Sequence, residues 1–142
     1  MPPQLSDADI ARLARGVIDR TLPKPEWTHA AHFACALWML TQPDRDAAEE
    51  MPGKIRAYNE ATGVMNTDTD GYHETITQAS LRAARAWLAQ RPGEGLSTAL
   101  AGLLASDYGR SDWLLAYWSK PVLVSPRARR DWVPPDLQPL PF

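Results

Sequence analysis

The sequence predicts an all-α protein, a single domain over residues 1–142 built as a bundle of about five or six helices with an extended, proline-rich tail over 121–142. Three observations lead there. Apolar residues recur at helical spacing in segment after segment. Capping residues, prolines and glycines punctuate those segments. Strand chemistry appears only in Pro121-Val-Leu-Val, which is too short and isolated to build a sheet.

The first helix is predicted over residues 6–22. Ser6 caps it, Asp9 completes a capping box, and Leu5 precedes the cap as a hydrophobic staple. Ile10, Leu13, Ala14, Val17 and Ile18 form its apolar stripe, and Pro23 and Pro25 stop it. The second helix spans 28–41, with Thr28 as N-cap, Trp27 before it and Pro43 beyond its end. The third runs from about Arg45 to Ala61 and terminates at Gly63. Pro52 and Gly53 inside it predict a kink or a break into two pieces.

Residues 64–71, VMNTDTDG, read as a loop. The fourth helix is expected from Tyr72 to about Gln90, with Asp70 or Thr69 as its cap and Gly71 making the turn. Ile76, Ser80, Ala84, Trp87 and Leu88 lie along its buried face. A fifth helix covers about Gly95 to Ala105, and a sixth begins at Ser111 and carries WLLAYW. From Pro121 onward the density of proline predicts an extended tail rather than helix, packed back on the body through Trp132 and Phe142.

Composition narrows the function classes. Hydrophobic residues make up 44% of the chain and charged residues 23%, ordinary values for a globular domain with a real core. A net charge of −2 argues against a nucleic-acid binder held by phosphate contacts. The longest apolar stretch, Ala30 to Leu40, falls far short of the ~20 residues that span a bilayer, so no membrane partner is expected. No signal peptide is read in MPPQLSDADI. The single cysteine, Cys35, permits no internal disulfide and reads as a small core filler. A cytoplasmic protein, with a homodimer as one arrangement, is the expectation.

Chemistry concentrates in the three histidines. His29 and His32 share a face of the second helix with Phe33, Ala36 and Leu40, and His73 shares one of the fourth with Ile76, Thr77 and Ser80. Both phrases place imidazoles on the inward side of a helix's first turn, where burial and the helix dipole favour the neutral ring. Should the two starts lie at one end of the bundle, His29, His32 and His73 converge on a pocket lined by small and polar residues. Three nitrogen ligands with an open position suit a divalent transition metal: zinc, nickel or iron. Glu74 is placed there as base or indirect support, and Tyr58 and Tyr72 as orienting hydroxyls. Metal-free binding of a small molecule with acid–base chemistry and purely structural histidines in a scaffold protein stand beside that reading. Residues 66–71, NTDTDG, resemble half of an EF-hand loop, but Asn66 and Thr77 stand where Asp and Glu are required. The basic run SPRARR, 125–130, reads as a solvated face.

Taken together, WTHAAHFACALW, IRAYNEATGVMNTDTDGYHETIT and YWSKPVLVSPRARRDWVPPDLQPLP resemble a family of small bacterial proteins of unassigned function, over most of residues 26–141. Its Trp-x-His-x-x-His motif is matched by Trp27, His29 and His32, and its Tyr-Asn-Glu by Tyr58, Asn59 and Glu60. Gly-Tyr-His-Glu-Thr is matched by residues 71–75. The Ser-Pro…Trp-Val…Pro-Asp-Leu tail is matched by Ser125, Pro126, Trp132, Val133, Pro135, Asp136 and Leu137. The resemblance implies that the histidine phrases belong to one pattern and implies no activity. MPGK at 51–54 departs from the uninterrupted helix expected of that family.

Overall fold

Hydrophobic residues around its whole circumference make the second helix the hub of the bundle. The computed structural model describes residues 4–142; residues 1–3, part of the stretch read as lacking a leader, lie outside the described residues. In α2 (His29–Leu40) every residue from Phe33 to Met39 is buried, and the helix touches α1 (Asp7–Ile18), α3 (Ala47–Ala61), α4 (Glu74–Ala89) and α5 (Leu96–Ala105). A helix that is apolar all round belongs at the centre of a core. Among the described residues there is no strand, and no helix is long and apolar enough to cross a membrane.

The capping box of α1 forms as its sequence requires. Ser6 Oγ accepts from Asp9 N at 3.1 Å, and Asp9 Oδ2 accepts from Ser6 N at 3.0 Å. The helix ends at Ile18 rather than near residue 22. Arg20 adopts a left-handed conformation (φ 62°), and Thr21 and Leu22 N–H turn back to the Gly16 carbonyl. Leu22 then packs so closely over Gly16 that a Cβ there would stand 2.9 Å from its own.

Proline does not break α3, which is continuous from Ala47 to Ala61 with Pro52 inside. Pro52 has no N–H for the carbonyl four residues back, that of Ala48. That carbonyl instead accepts from Gln78 Nε2 of α4 at 2.9 Å. A side chain from the neighbouring helix thus replaces the missing bond.

The tail also departs from expectation. Two short helices open it, α6 (Lys120–Leu123) and α7 (Pro126–Arg130). Pro121 and Pro126 stand in their first turns, where a missing N–H costs nothing, and Ser125 Oγ caps α7 by accepting from Ala128 N. The segment predicted as a sixth helix is a single 3-10 turn, Trp113–Ala116. After Asp131 the chain is irregular and lies on the body. Trp118 Nε1 donates to Val133 O, Leu137 N donates to Tyr117 O, and Trp132 sits edge to face with Trp118 at 5.7 Å.

Candidate functional site

The starts of α2 and α4 lie at one end of the bundle, and two adjoining cavities open between them. One, of about 290 Å³, is lined by His32, Tyr72, His73 and Thr77 among others; the second, of about 270 Å³, by His29, His32, Ser80 and Ser111. Trp27, His32 and Ile76 belong to both, so they form the wall between them. Each of the three histidines therefore borders this space, although among the described residues no three His, Cys, Asp or Glu side chains stand close enough together to hold a metal ion.

The bonding of the rings differs sharply. His73 is the N-cap of α4: its Nδ1 accepts from Ile76 N at 3.1 Å, while its Nε2–H donates to Leu123 O at 2.6 Å. This pattern uses both nitrogens and specifies the neutral tautomer protonated on Nε2. Burial, with the nearby Arg129 charge, holds the pKa of His73 below its ordinary value against the opposing effect of the Leu123 bond. His29 donates from Nε2 to Tyr108 O at 2.7 Å and presents its ring edge to face with Phe33.

The ring of His32 makes no hydrogen bond among the described residues, although its backbone N–H donates to Thr28 O. It stacks on the Trp27 indole with centroids 3.8 Å apart and planes inclined by 27°, and Trp27 in turn meets Tyr58 edge to face at 5.6 Å. Burial, with the adjacent His29, pushes the His32 pKa down to about 4. At neutral pH it is an uncharged imidazole carrying one N–H and one free lone pair.

The oxygen-bearing residues also separate. Tyr72 donates its hydroxyl to Glu74 Oε1, and the Arg56 guanidinium stands 4.5 Å from the Tyr72 ring centre. Burial and the bond to the Glu74 carboxylate raise the Tyr72 pKa, so this phenol holds its proton. Tyr58 is committed elsewhere: its hydroxyl donates to Leu22 O at 2.9 Å, bracing the turn after α1. Cys35 is buried inside α2, and burial pushes its thiol up to about 12.

The NTDTDG loop is organised by one side chain. Asn66 Oδ1 accepts from Tyr72 N and from Asn59 Nδ2, and its Nδ2 donates to Arg56 O. Gly71 (φ 80°) passes so close to Met65 O that a Cβ would lie 2.5 Å away, which makes glycine obligatory there. Neither Asp70 nor Thr69 caps α4; the imidazole of His73 does so.

One residue of this end escaped the sequence reading. Thr75 is completely buried, and its Oγ1 lies 2.7 Å from Ala128 O and 2.8 Å from Asp131 O, while Val133 N donates to it at 3.1 Å. Arg129 Nη1 adds bonds to Gly71 O and Tyr72 O. The start of α4 is thus fastened to α6, α7 and the chain beyond. No protein family, curated protein or solved structure matches the chain.

Proposed function

We propose that the protein binds a small, uncharged molecule in the paired cavities between α2 and α4, with His32 as the group that meets it. The observation that carries this reading is the contrast in bonding: of the three histidine rings, that of His32 alone has no hydrogen bond among the described residues, and it stands in the wall shared by both cavities. Its neutral ring offers a donor and an acceptor to a ligand, or accepts a proton from one. Trp27, Ile55 and Ile76 supply apolar surface, and Thr77 and Ser80 supply hydroxyls. Glu74 and Tyr72 serve as a carboxylate–phenol pair on the rim of this reading rather than as its reacting groups.

A metal centre on His29, His32 and His73, holding zinc, nickel or iron, would require His73 to give up Ile76 N–H or Leu123 O. The scaffold reading draws support from those same bonds, which make His29 and His73 ties between helix starts and distant carbonyls. The net charge of −2 argues against nucleic acid as the ligand. Fragment titration followed by imidazole and indole NMR separates the readings. Binding predicts concerted shifts at His32 and Trp27 that vanish in a folded His32→Ala protein. Stoichiometric metal in untagged protein, lost in His32→Ala, would favour the metal centre. No fragment-induced shift at His32, with metal absent, would leave the scaffold.

A further inference from the structure

At the far end of α5 the chain makes two tight turns, Asp107–Gly109 and Trp113–Ala116, around a half-open cleft of about 430 Å³. The turn geometry is dictated by Gly109, where a Cβ would lie 1.8 Å from Leu104 O, so only glycine lets Tyr108 stand where it does. Three rings line the cleft. Tyr108 and Trp113 meet edge to face with centroids 5.0 Å apart, and Trp113 and Tyr117 do so at 6.0 Å. Trp113 is buried, and Tyr108 and Tyr117 keep part of their surface open.

The charges on the rim are unequal. Asp112 pairs with Arg110 at 3.3 Å, whereas Asp107 has no ion pair among the described residues. Burial, then the neighbouring Tyr117 and Asp107, make the Tyr108 hydroxyl harder to ionise. The cleft therefore brings three aromatic side chains together with one carboxylate that has no counter-cation among the described residues.

We propose that this cleft binds a quaternary ammonium group carried by a small molecule. Such a cation is weakly hydrated and has no N–H to satisfy, so ring faces, the apolar Leu115 and Ala116, and the Asp107 carboxylate meet its whole chemistry. The site is separate from the histidine-lined cavities and does not depend on what they bind.

The test is a titration of the full chain at constant ionic strength with choline, tetramethylammonium and the uncharged isostere 3,3-dimethylbutan-1-ol, followed at the Trp113 indole and the Tyr117 ring by NMR. Both cations should saturate those signals, with the isostere weaker by at least about fivefold, as a cation–π site requires. Tyr117→Phe keeps the ring and should bind within about twofold of wild type, while Tyr117→Leu and Asp107→Asn should each weaken choline by about threefold or more. Equal binding of the isostere, absence of any shift with choline, or unchanged affinity in Asp107→Asn and in a folded Tyr117→Leu protein, would overturn the proposal.

Discussion

The starts of α2 and α4 carry the same sequence layout, an imidazole in the first turn of a core helix, and the fold uses them oppositely. At α4, His73 spends both ring nitrogens on backbone, Thr75 gathers three backbone groups of the C-terminal segment, and Arg129 reaches back to Gly71 and Tyr72. At α2, one bond from His29 to Tyr108 is the long-range polar tie, and His32 rests on Trp27 by stacking. One start is a latch made of hydrogen bonds. The other is held by apolar packing and leaves a polar ring at liberty. The role of a histidine is thus decided by its place at the helix start together with which distant carbonyls arrive beside it.

The largest effect that sharpens this contrast is at Thr75. Thr75→Val keeps the shape and removes the hydroxyl, leaving a buried carbonyl of Ala128 and the part-buried Val133 N–H and Asp131 carbonyl without that partner. A loss of about 3 kcal/mol by denaturant unfolding, or roughly 10 °C in Tm, is expected. The Val133 amide should lose its protection from hydrogen exchange more than amides of α1. A loss below about 0.5 kcal/mol would mean that the latch contributes little.

Next comes the pair of substitutions His73→Ala and His29→Ala. The first removes a helix cap and a buried bond and should cost about 2 kcal/mol. The second removes one partly buried bond and should cost about 1 kcal/mol. His73→Asn retains a capping side chain and should recover part of the loss. If His29→Ala proves the costlier of the two, the two starts do not differ as described.

Much of this architecture was legible in the sequence. The Ser6–Asp9 capping box, the Thr28 cap, and the turns at Gly63 and Gly71 are local events, governed by side chains within a few residues, and each stands as expected. What escaped depends on partners far along the chain. Pro52 reads as a helix breaker until Gln78, from another helix, satisfies the Ala48 carbonyl. Pro121 and Pro126 read as signs of extended chain, although Ser119 and Ser125 before them are the signature of proline in a first turn. Thr75 looks like an ordinary helical threonine, and nothing local announces that residues 128, 131 and 133 will close over it. That the three histidines meet at one end of the bundle was legible, since all three border the adjoining cavities there. Their division into ties and a free ring was not, because Leu123 lies 50 residues from His73 and Tyr108 lies 79 from His29.

Acid should expose the free ring. An unfolded histidine takes up its proton near 6.5, whereas His32 in the fold waits until about 4. Between those values the unfolded state binds more protons, so the contribution is complete above about 6.5 and is lost as the pH falls toward 4. His73, also lowered, acts in the same direction. Because His32 is only half-buried, its share should be about 1 kcal/mol between pH 7 and 4.5, short of the limiting slope of ~1.4 kcal/mol per pH unit. Comparing His32→Gln with wild type across that range isolates it; parallel curves would show a ring that protonates freely in the fold.

The smallest effect asks whether α4 acts through polar bonds on its other side as well. Gln78→Ala removes the donor that serves the carbonyl orphaned by Pro52 and should cost about 1 kcal/mol. In a Pro52→Ala background, residue 52 has its own N–H for Ala48 O, so the Gln78→Ala cost should fall to a few tenths of a kcal/mol. The coupling in this double-mutant cycle measures the substitution of an interhelical bond for an intrahelical one. An equal cost in both backgrounds would show that Gln78 contributes by packing. In that event the reach of α4's hydrogen bonding would be confined to its first turn, where His73 and Thr75 hold the C-terminal segment.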